Sequence, residues 1–368
     1  MPPETEIVRA PECPKSMEFG PCGGVEGDGR CEVAEHACVF LDVATVRWSR
    51  ERPASNRALD PALGPLFDPA SAGPPANDAS PIPHTPADRM RALLGSGRVV
   101  VGDFPARALA ADSIRECADI LAGSTDAVLA GDSARSRVQF SPTYRAQLIR
   151  AAGLEVWTGL NCRDRNRVAL EGELAGLAHV GVSGVHCVTG DHTATGSRPD
   201  ARPVFDLDST RLAAVARAAG HLVSVGESPA TPPMDRRAER LREKERAGAE
   251  VCFVNHAGGV EPVRAFIAEA RALGSGLRFI ACVPIVVDVE SAALLASFPS
   301  LVLPPGYLDG IFAADSPTAA GISAAIELSR RLLDVDGVAG VNLSGGGGAG
   351  GELRFADALA EVGSALRS

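Results

Sequence analysis

The chain has 368 residues, 45% of them hydrophobic but only 4% aromatic, so it can hold one large domain plus an appendage, with a core built mainly from Ala, Val and Leu. A formal net charge of −10, with no basic stripe carrying interleaved aromatics, excludes a nucleic-acid backbone as partner, because phosphate binding needs a basic face. No apolar run reaches membrane-spanning length, and Met1 to Glu6 lacks the basic start and apolar stretch of a signal peptide, so a cytoplasmic protein without membrane contact is expected.

The first unit, residues 1–45, carries four of the nine cysteines: Cys13, Cys22, Cys31 and Cys38, separated by eight, eight and six residues. Gly and Pro punctuate it, and it has too little apolar content for a core of its own, so it needs a staple. Disulfides are disfavoured in a reducing cytosol, which leaves four thiolates around a [4Fe-4S] cluster or a zinc ion. The missing C-x₂-C knuckle tilts the choice slightly towards the cluster, and reduced cysteines packed against the main domain are the alternative. Residues 46–90 read as a linker, because prolines from Pro53 to Pro86 interrupt every regular pattern. Only two of the 36 basic residues are lysines, Lys15 and Lys244.

From residue 91 strands and helices alternate. Strand patterns cover Arg98–Phe104, Asp126–Gly131, Glu155–Cys162, Gly184–Asp191, His221–Glu227, Glu250–His256, Arg278–Ile285 and Gly337–Ser344. Helical patterns lie between them, many ending at a glycine such as Gly123, Gly153, Gly220, Gly248 or Gly274. Eight such repeats predict a (β/α)₈ TIM barrel over residues 91–368, closed by a helix at Glu352–Leu366 after the Gly345–Gly351 loop. A doubly wound open sheet is the alternative, weakened by the lack of a Gly-rich fingerprint after the first strand.

In a parallel α/β protein ligands sit at the carboxyl ends of the strands. That rim gathers Asp103, Asp132, Asn161, Arg163, Asp164, Arg165, Asn166, Asp191, His192, Glu227, Asn255 and His256. Arg163 and Arg165 straddle Asp164, which suits either a phosphate clamp or an ion network. Asp191 follows Thr189-Gly190 at a strand end, where a carboxylate can hold a heterocycle's N–H groups or cap a helix. Lys244 taken by itself reads as part of a solvated helix face. His179 and His186 read as packing residues, and Cys162, Cys187, Cys252 and Cys282 as small core or barrel-lining residues.

Asn161-Cys-Arg-Asp-Arg-Asn-Arg167, Val188-Thr-Gly-Asp191, Val204-Phe-Asp-Leu-Asp208 and Leu241 to Glu250 together resemble the methylenetetrahydrofolate reductase family. The N-terminal cysteine pattern resembles the cysteine-rich domain associated with some bacterial reductases of this family, where it usually follows the barrel or forms a separate subunit. The resemblance implies a flavoenzyme that reduces 5,10-methylenetetrahydrofolate to 5-methyltetrahydrofolate through bound FAD, with NAD(P)H as a further cofactor. By motif, Asn161, Arg163, Asp164, Arg165, Asn166, Thr189, Gly190, Asp191 and Lys244 would hold the flavin. Asp191 and Asn255 would face the folate, and Asp103, Asp191 and Glu227 would be the catalytic carboxylates. An electron-donor protein and a homo-oligomer are the other partners left open.

Two departures mark the pattern. The family's strand-one glutamate falls at Gly102 here, and the carboxylate stands one place on, at Asp103, where strand alternation would turn it to the other face. The family's Thr-Gln plus aromatic on strand six is replaced by Val254-Asn255. A changed one-carbon reaction, by oxidation or demethylation, and a non-catalytic partner subunit are therefore the competing expectations.

Overall fold

The computed structural model describes residues 12–48, 85–131, 136–298 and 300–367. Eight parallel strands close into a barrel in chain order: β1 Val99–Asp103, β2 Ala127–Ala130, β3 Val156–Asn161, β4 Gly184–Val188, β5 Val223–Glu227, β6 Val251–Val254, β7 Arg278–Pro284 and β8 Val338–Ser344. Closure is made by β8 lying against β1, with Val101 opposite Asn342. This is the (β/α)₈ architecture expected from the alternation, and no described helix is long and apolar enough to cross a membrane.

The helices are α1 Pro86–Ser96, α2 Ala111–Leu121, α3 Pro142–Ala151, α4 Arg167–Val180, α5 Ser209–Ala218, α6 Arg237–Ala247, α7 Val260–Ala272, α8 Val289–Ala296, α9 Tyr307–Phe312, α10 Pro317–Leu333 and α11 Glu352–Arg367. Their starts have local causes. Asn166, Asp208 and Ser316 each cap a free N–H of the first turn. The helix α1 begins inside the stretch read as linker, because Pro86 fits the first helical position and Thr85 and Asp88 form a reciprocal capping box. Two short helices, α8 and α9, were not legible as separate patterns.

The core has two compartments. Residues such as Val100, Leu121, Val185 and Leu359 fill the layer between strands and helices. Inside the barrel, Val99, Val101, Trp157, Phe253 and Ile280 form a second cluster, which Met90 and Leu94 of α1 seal from the amino ends of the strands. Trp157 is wholly buried and meets Phe253 edge-on at 5.2 Å. Gly184 makes room for it, since a Cβ there would come within 2.6 Å of the indole. With one end stoppered by side chains, the open end at the carboxyl termini of the strands is left for ligands.

The cysteine-bearing segment docks over that open end. Glu18 pairs with Arg211, Thr45 Oγ1 donates to Glu239 at 3.2 Å, and Arg237 Nη1 donates to the Cys22 carbonyl at 3.2 Å. Phe19 and Trp48 pack together at 5.2 Å. Most of the 46–90 linker, and Asp132, lie outside the described residues.

Candidate functional site

A cavity of about 520 Å³ opens among the carboxyl ends of the strands, within the size range of small-molecule sites. Its walls come from both parts of the chain: Asp103, Thr189, Asp191, Glu227, Asn255 and Ser344 from the barrel, and Lys15, Cys22, Gly23 and Glu32 from the cysteine-bearing segment.

Asp103 ends β1 and lines the cavity. The odd-numbered residues of this strand face the barrel interior, where Val99 and Val101 join the inner cluster. A Cβ on Gly102 would meet Thr125 and Leu359 on the helical side. The one-residue displacement therefore puts the carboxylate on the ligand side rather than away from it. Asn342 Nδ2 donates to Oδ1 at 2.9 Å and the Gly345 N–H donates to Oδ2 at 3.1 Å. Burial pushes the Asp103 carboxyl above the usual carboxylate range, and these neutral donors offset only part of that.

Glu227 ends β5, across the barrel mouth, and is more fully buried than Asp103. Lys244 Nζ lies 2.7 Å from its Oε2, and Arg237 Nη1 lies 3.3 Å from its Oε1. Although burial opposes ionisation, the cations Lys244, Arg237 and Arg240 hold its carboxyl below the usual range. Glu227 is a fixed anion, unsuited to giving up a proton. Lys244 is not on a solvated helix face: it is buried, lines the cavity and also donates to the Gly226 carbonyl at 2.6 Å. Burial lowers its pKa, and Glu227 opposes that shift.

The motif loop after β3 mostly serves the backbone. Asn161 Oδ1 accepts the Asp164 N–H at 3.2 Å, and Asn166 Oδ1 caps α4 through the Ala169 N–H at 3.1 Å. Arg163 is buried and donates to Asp164 through one edge of its guanidinium, from Nε at 2.7 Å and Nη2 at 2.6 Å. Arg165 turns towards Glu173, 3.9 Å away. Of this loop, only Arg163 reaches the cavity wall; Asn161, Asp164, Arg165 and Asn166 do not line it.

After β4, Thr189 Oγ1 accepts the Ser209 N–H at 3.1 Å, and Gly190 has a φ of 90° that few other residues adopt. Asp191 projects into the cavity, half-exposed, with Arg137 at 3.6 Å. Asn255 lines the wall and donates to Ser228 Oγ at 2.8 Å.

His186, expected to pack, does lie against Phe253 at 4.8 Å, but it also borders the cavity, with Nδ1 2.9 Å from Ser224 Oγ. Burial lowers its pKa to about 4. His179 is exposed on α4 rather than packed. Sequence reasoning did not place Lys15, Glu32, Arg137, Arg145, Arg240 or Phe298 in the site, though all line it. Only the rarity of lysine pointed to Lys15.

The four N-terminal cysteines are free and surround one small apolar cavity of about 20 Å³. Their sulfurs accept backbone N–H groups: Cys22 from Gly24 at 3.3 Å, Cys13 from Lys15 and Met17, and Cys38 from Phe40. Among the described residues no group of three or more His, Cys, Asp or Glu side chains is arranged to hold a metal ion.

Residues 4–58 match the family model described as "Methylene-tetrahydrofolate reductase C terminal". This relates the N-terminal segment to methylenetetrahydrofolate reductases, with the segment standing ahead of the barrel. No curated protein matches the chain. Among solved structures, an uncharacterized protein from Clostridium thermocellum that binds two copies of 5-methyl-5,6,7,8-tetrahydrofolic acid is similar with a TM-score of 0.52 and 12% identity, over 74% of this chain and 96% of that one. A 2,3-dimethylmalate lyase of the PEP mutase/isocitrate lyase superfamily aligns with a TM-score of 0.42 and 18% identity, over 71% of this chain and 89% of that one. At these identities the likeness is one of fold.

Proposed function

We propose, taking as premise the N-terminal segment's relation to methylenetetrahydrofolate reductases, that the chain is a folate-dependent one-carbon oxidoreductase that reduces 5,10-methylenetetrahydrofolate to the 5-methyl form. The observation that carries this reading is Asp103. It is a part-buried carboxyl on the cavity wall, held by neutral donors, with its pKa raised. Such a group holds its proton to higher pH than an ordinary carboxyl, which suits a general acid. The folate-binding neighbour of the same fold supports the choice of ligand.

In this reading protonated Asp103 delivers its proton to N10 of the imidazolidine ring as the bond from N10 to the methylene carbon breaks. The electron pair of that bond stays on N10, and the carbon is left as an N5 iminium. A reduced nicotinamide, when bound, would supply the hydride that converts that carbon to the methyl group and would leave oxidised. The apolar wall of Leu294, Leu295 and Phe298 gives the heterocycle a dry surface.

The residues do not fit FAD held as the resemblance implies. Most of the motif loop is committed to its own backbone, and Lys244 is committed to Glu227 and Gly226. The four cysteines line one void, with backbone N–H groups aimed at three of the sulfurs, an arrangement that suits four thiolates around a cluster. Cys13, Cys22, Cys31 and Cys38 would hold a [4Fe-4S] cluster, whose chemistry when bound is one-electron transfer.

The test uses full-length protein purified without oxygen and assayed with 5,10-methylenetetrahydrofolate and reduced nicotinamide. Asp103→Asn should lower kcat by about 10²–10⁴-fold with folate affinity little changed. An unchanged kcat removes Asp103 from the chemistry, and a wild-type protein that binds no folate sinks the reading. Iron with matching sulfide is expected in the same sample; zinc in its place would overturn the cluster, and stoichiometric flavin would overturn the flavin-free site.

A further inference from the structure

The chain has two lysines among 36 basic residues, 229 positions apart, and both end in the wall of one cavity. Each is buried beside a carboxylate: Lys244 beside Glu227 from the barrel, and Lys15 beside Glu32 from the cysteine-bearing segment. Lys15, only 4% exposed, is brought there by the Cys13 turn, and Glu32 by the residue next to Cys31. An ammonium has three donors, so one carboxylate partner leaves it able to donate again.

A second cation in the same wall is less satisfied. Arg240 of α6 is 1% exposed, and its Nη1 donates to Thr210 Oγ1 at 2.5 Å. Its Nε and Nη2 have no hydrogen-bond partner among the described residues, and Asp208 Oδ2 stays 3.8 Å from Nη2. Leaving buried guanidinium N–H groups unpaired is costly, so such groups mark a place for an acceptor. The backbone of the cysteine-bearing segment lies directly on this arginine. Gly20 sits at a φ of 121°, and a Cβ there would come within 2.9 Å of Arg240 Cδ.

The charge balance points the same way. Among the described lining residues six are Lys or Arg and four are Asp or Glu, in a chain whose net charge is −10. One of the four, Asp103, ionises less readily than an ordinary carboxyl because burial raises its pKa.

The geometry points to an oxyanion subsite built jointly by the two parts of the chain, in which Lys15 and Arg240 receive a carboxylate or phosphate group of the ligand. Resting on the proposed function, that group is a carboxylate of the folate tail. The cysteine-bearing segment is then part of the binding site, and the ligand is held between it and the barrel.

The experiment compares the full-length wild-type protein with Lys15→Met and Arg240→Gln, using 5-methyltetrahydrofolate and 6-methyltetrahydropterin, which lacks the carboxylate tail. The wild type should prefer the folate by at least tenfold. Each variant should lose most of that preference with its pterin affinity unchanged. An unchanged preference in both variants overturns the subsite. Lys15→Arg provides a second variant if Lys15→Met fails to fold; it keeps the charge but not the compact head, and should recover only part of the preference.

Thermal stability in millimolar glutarate or inorganic phosphate separates this inference from the folate reading. If the wild type binds neither pterin nor folate, the proposed function falls. The subsite still stands if either anion raises Tm in the wild type and not in the variants, and whichever anion does so identifies the group. If neither anion acts selectively, the subsite falls as well.

Discussion

Asp103 and Glu227 make a controlled comparison. Both carboxyls stand at the ends of barrel strands and line one cavity, facing each other across its mouth, Glu227 buried and Asp103 partly so. Their surroundings push them apart. Asp103 has an amide and a backbone N–H as partners, and its pKa rises. Glu227 has Lys244, Arg237 and Arg240, and its pKa falls. Depth of burial therefore does not determine which carboxyl keeps its proton; the charge of the neighbours does. A pair split in this way separates an acid from a fixed anion, which is how a single site can hold both.

The largest effect outside catalysis should come from removing the anion. Glu227→Gln leaves Lys244 and Arg237 buried without their counter-charge, which should destabilise the barrel by about 3–5 kcal/mol in denaturant titration. A loss within error of zero would mean that the cations find other partners, and the contrast with Asp103 would weaken.

The two carboxyls should also respond to pH in opposite senses. Asp103 has its folded pKa raised above the unfolded value of about 3.9, so its contribution to stability is complete below that value and is lost as pH rises through the folded pKa. Glu227 has its folded pKa lowered below the unfolded value of about 4.3, so its contribution is present above that value and is lost as pH falls through the folded pKa. The stability of Asp103→Asn relative to wild type should therefore improve as pH rises from about 4 towards neutrality. The deficit of Glu227→Gln should be full at neutral pH and shrink below about pH 4. Parallel trends in the two variants would refute the split. On the same basis, turnover that depends on protonated Asp103 should decline as pH rises.

The smallest effect lies away from the cavity. Thr85→Ala removes the capping box of α1, the helix that seals the opposite end of the barrel, and should cost about 1 kcal/mol with folate affinity unchanged. A change in affinity would show that the seal and the site are coupled.

The strands and most helices were legible because each carries its own periodicity and punctuation. The pattern placed β5 at His221–Glu227 against the observed Val223–Glu227, and the last helix at Glu352–Leu366 against Glu352–Arg367. The rim positions followed once the strand ends were known. The sequence did not reveal which rim side chains would turn inwards and which would serve the backbone. Asn161 and Asn166 resemble ligand-binding amides in a motif, yet both satisfy N–H groups of their own loop. His179, in an apolar run, falls on an exposed helix face.

Local order follows from neighbours along the chain, so the sequence by itself determined the (β/α)₈ alternation, the carboxyl-end site and the grouping of four cysteines. The tertiary structure decided three things that depend on neighbours distant in sequence. The inward facing of Asp103 is fixed by Asn342, Gly345 and barrel closure against β8. The ionised state of Glu227 is fixed by Arg237 and Lys244 from a later helix. The meeting of Lys15 with a barrel cavity requires the N-terminal segment to fold back over strands that begin more than 80 residues later. Charge and proton affinity in a buried site are set by partners within a few ångströms, and only the folded chain determines which partners those are.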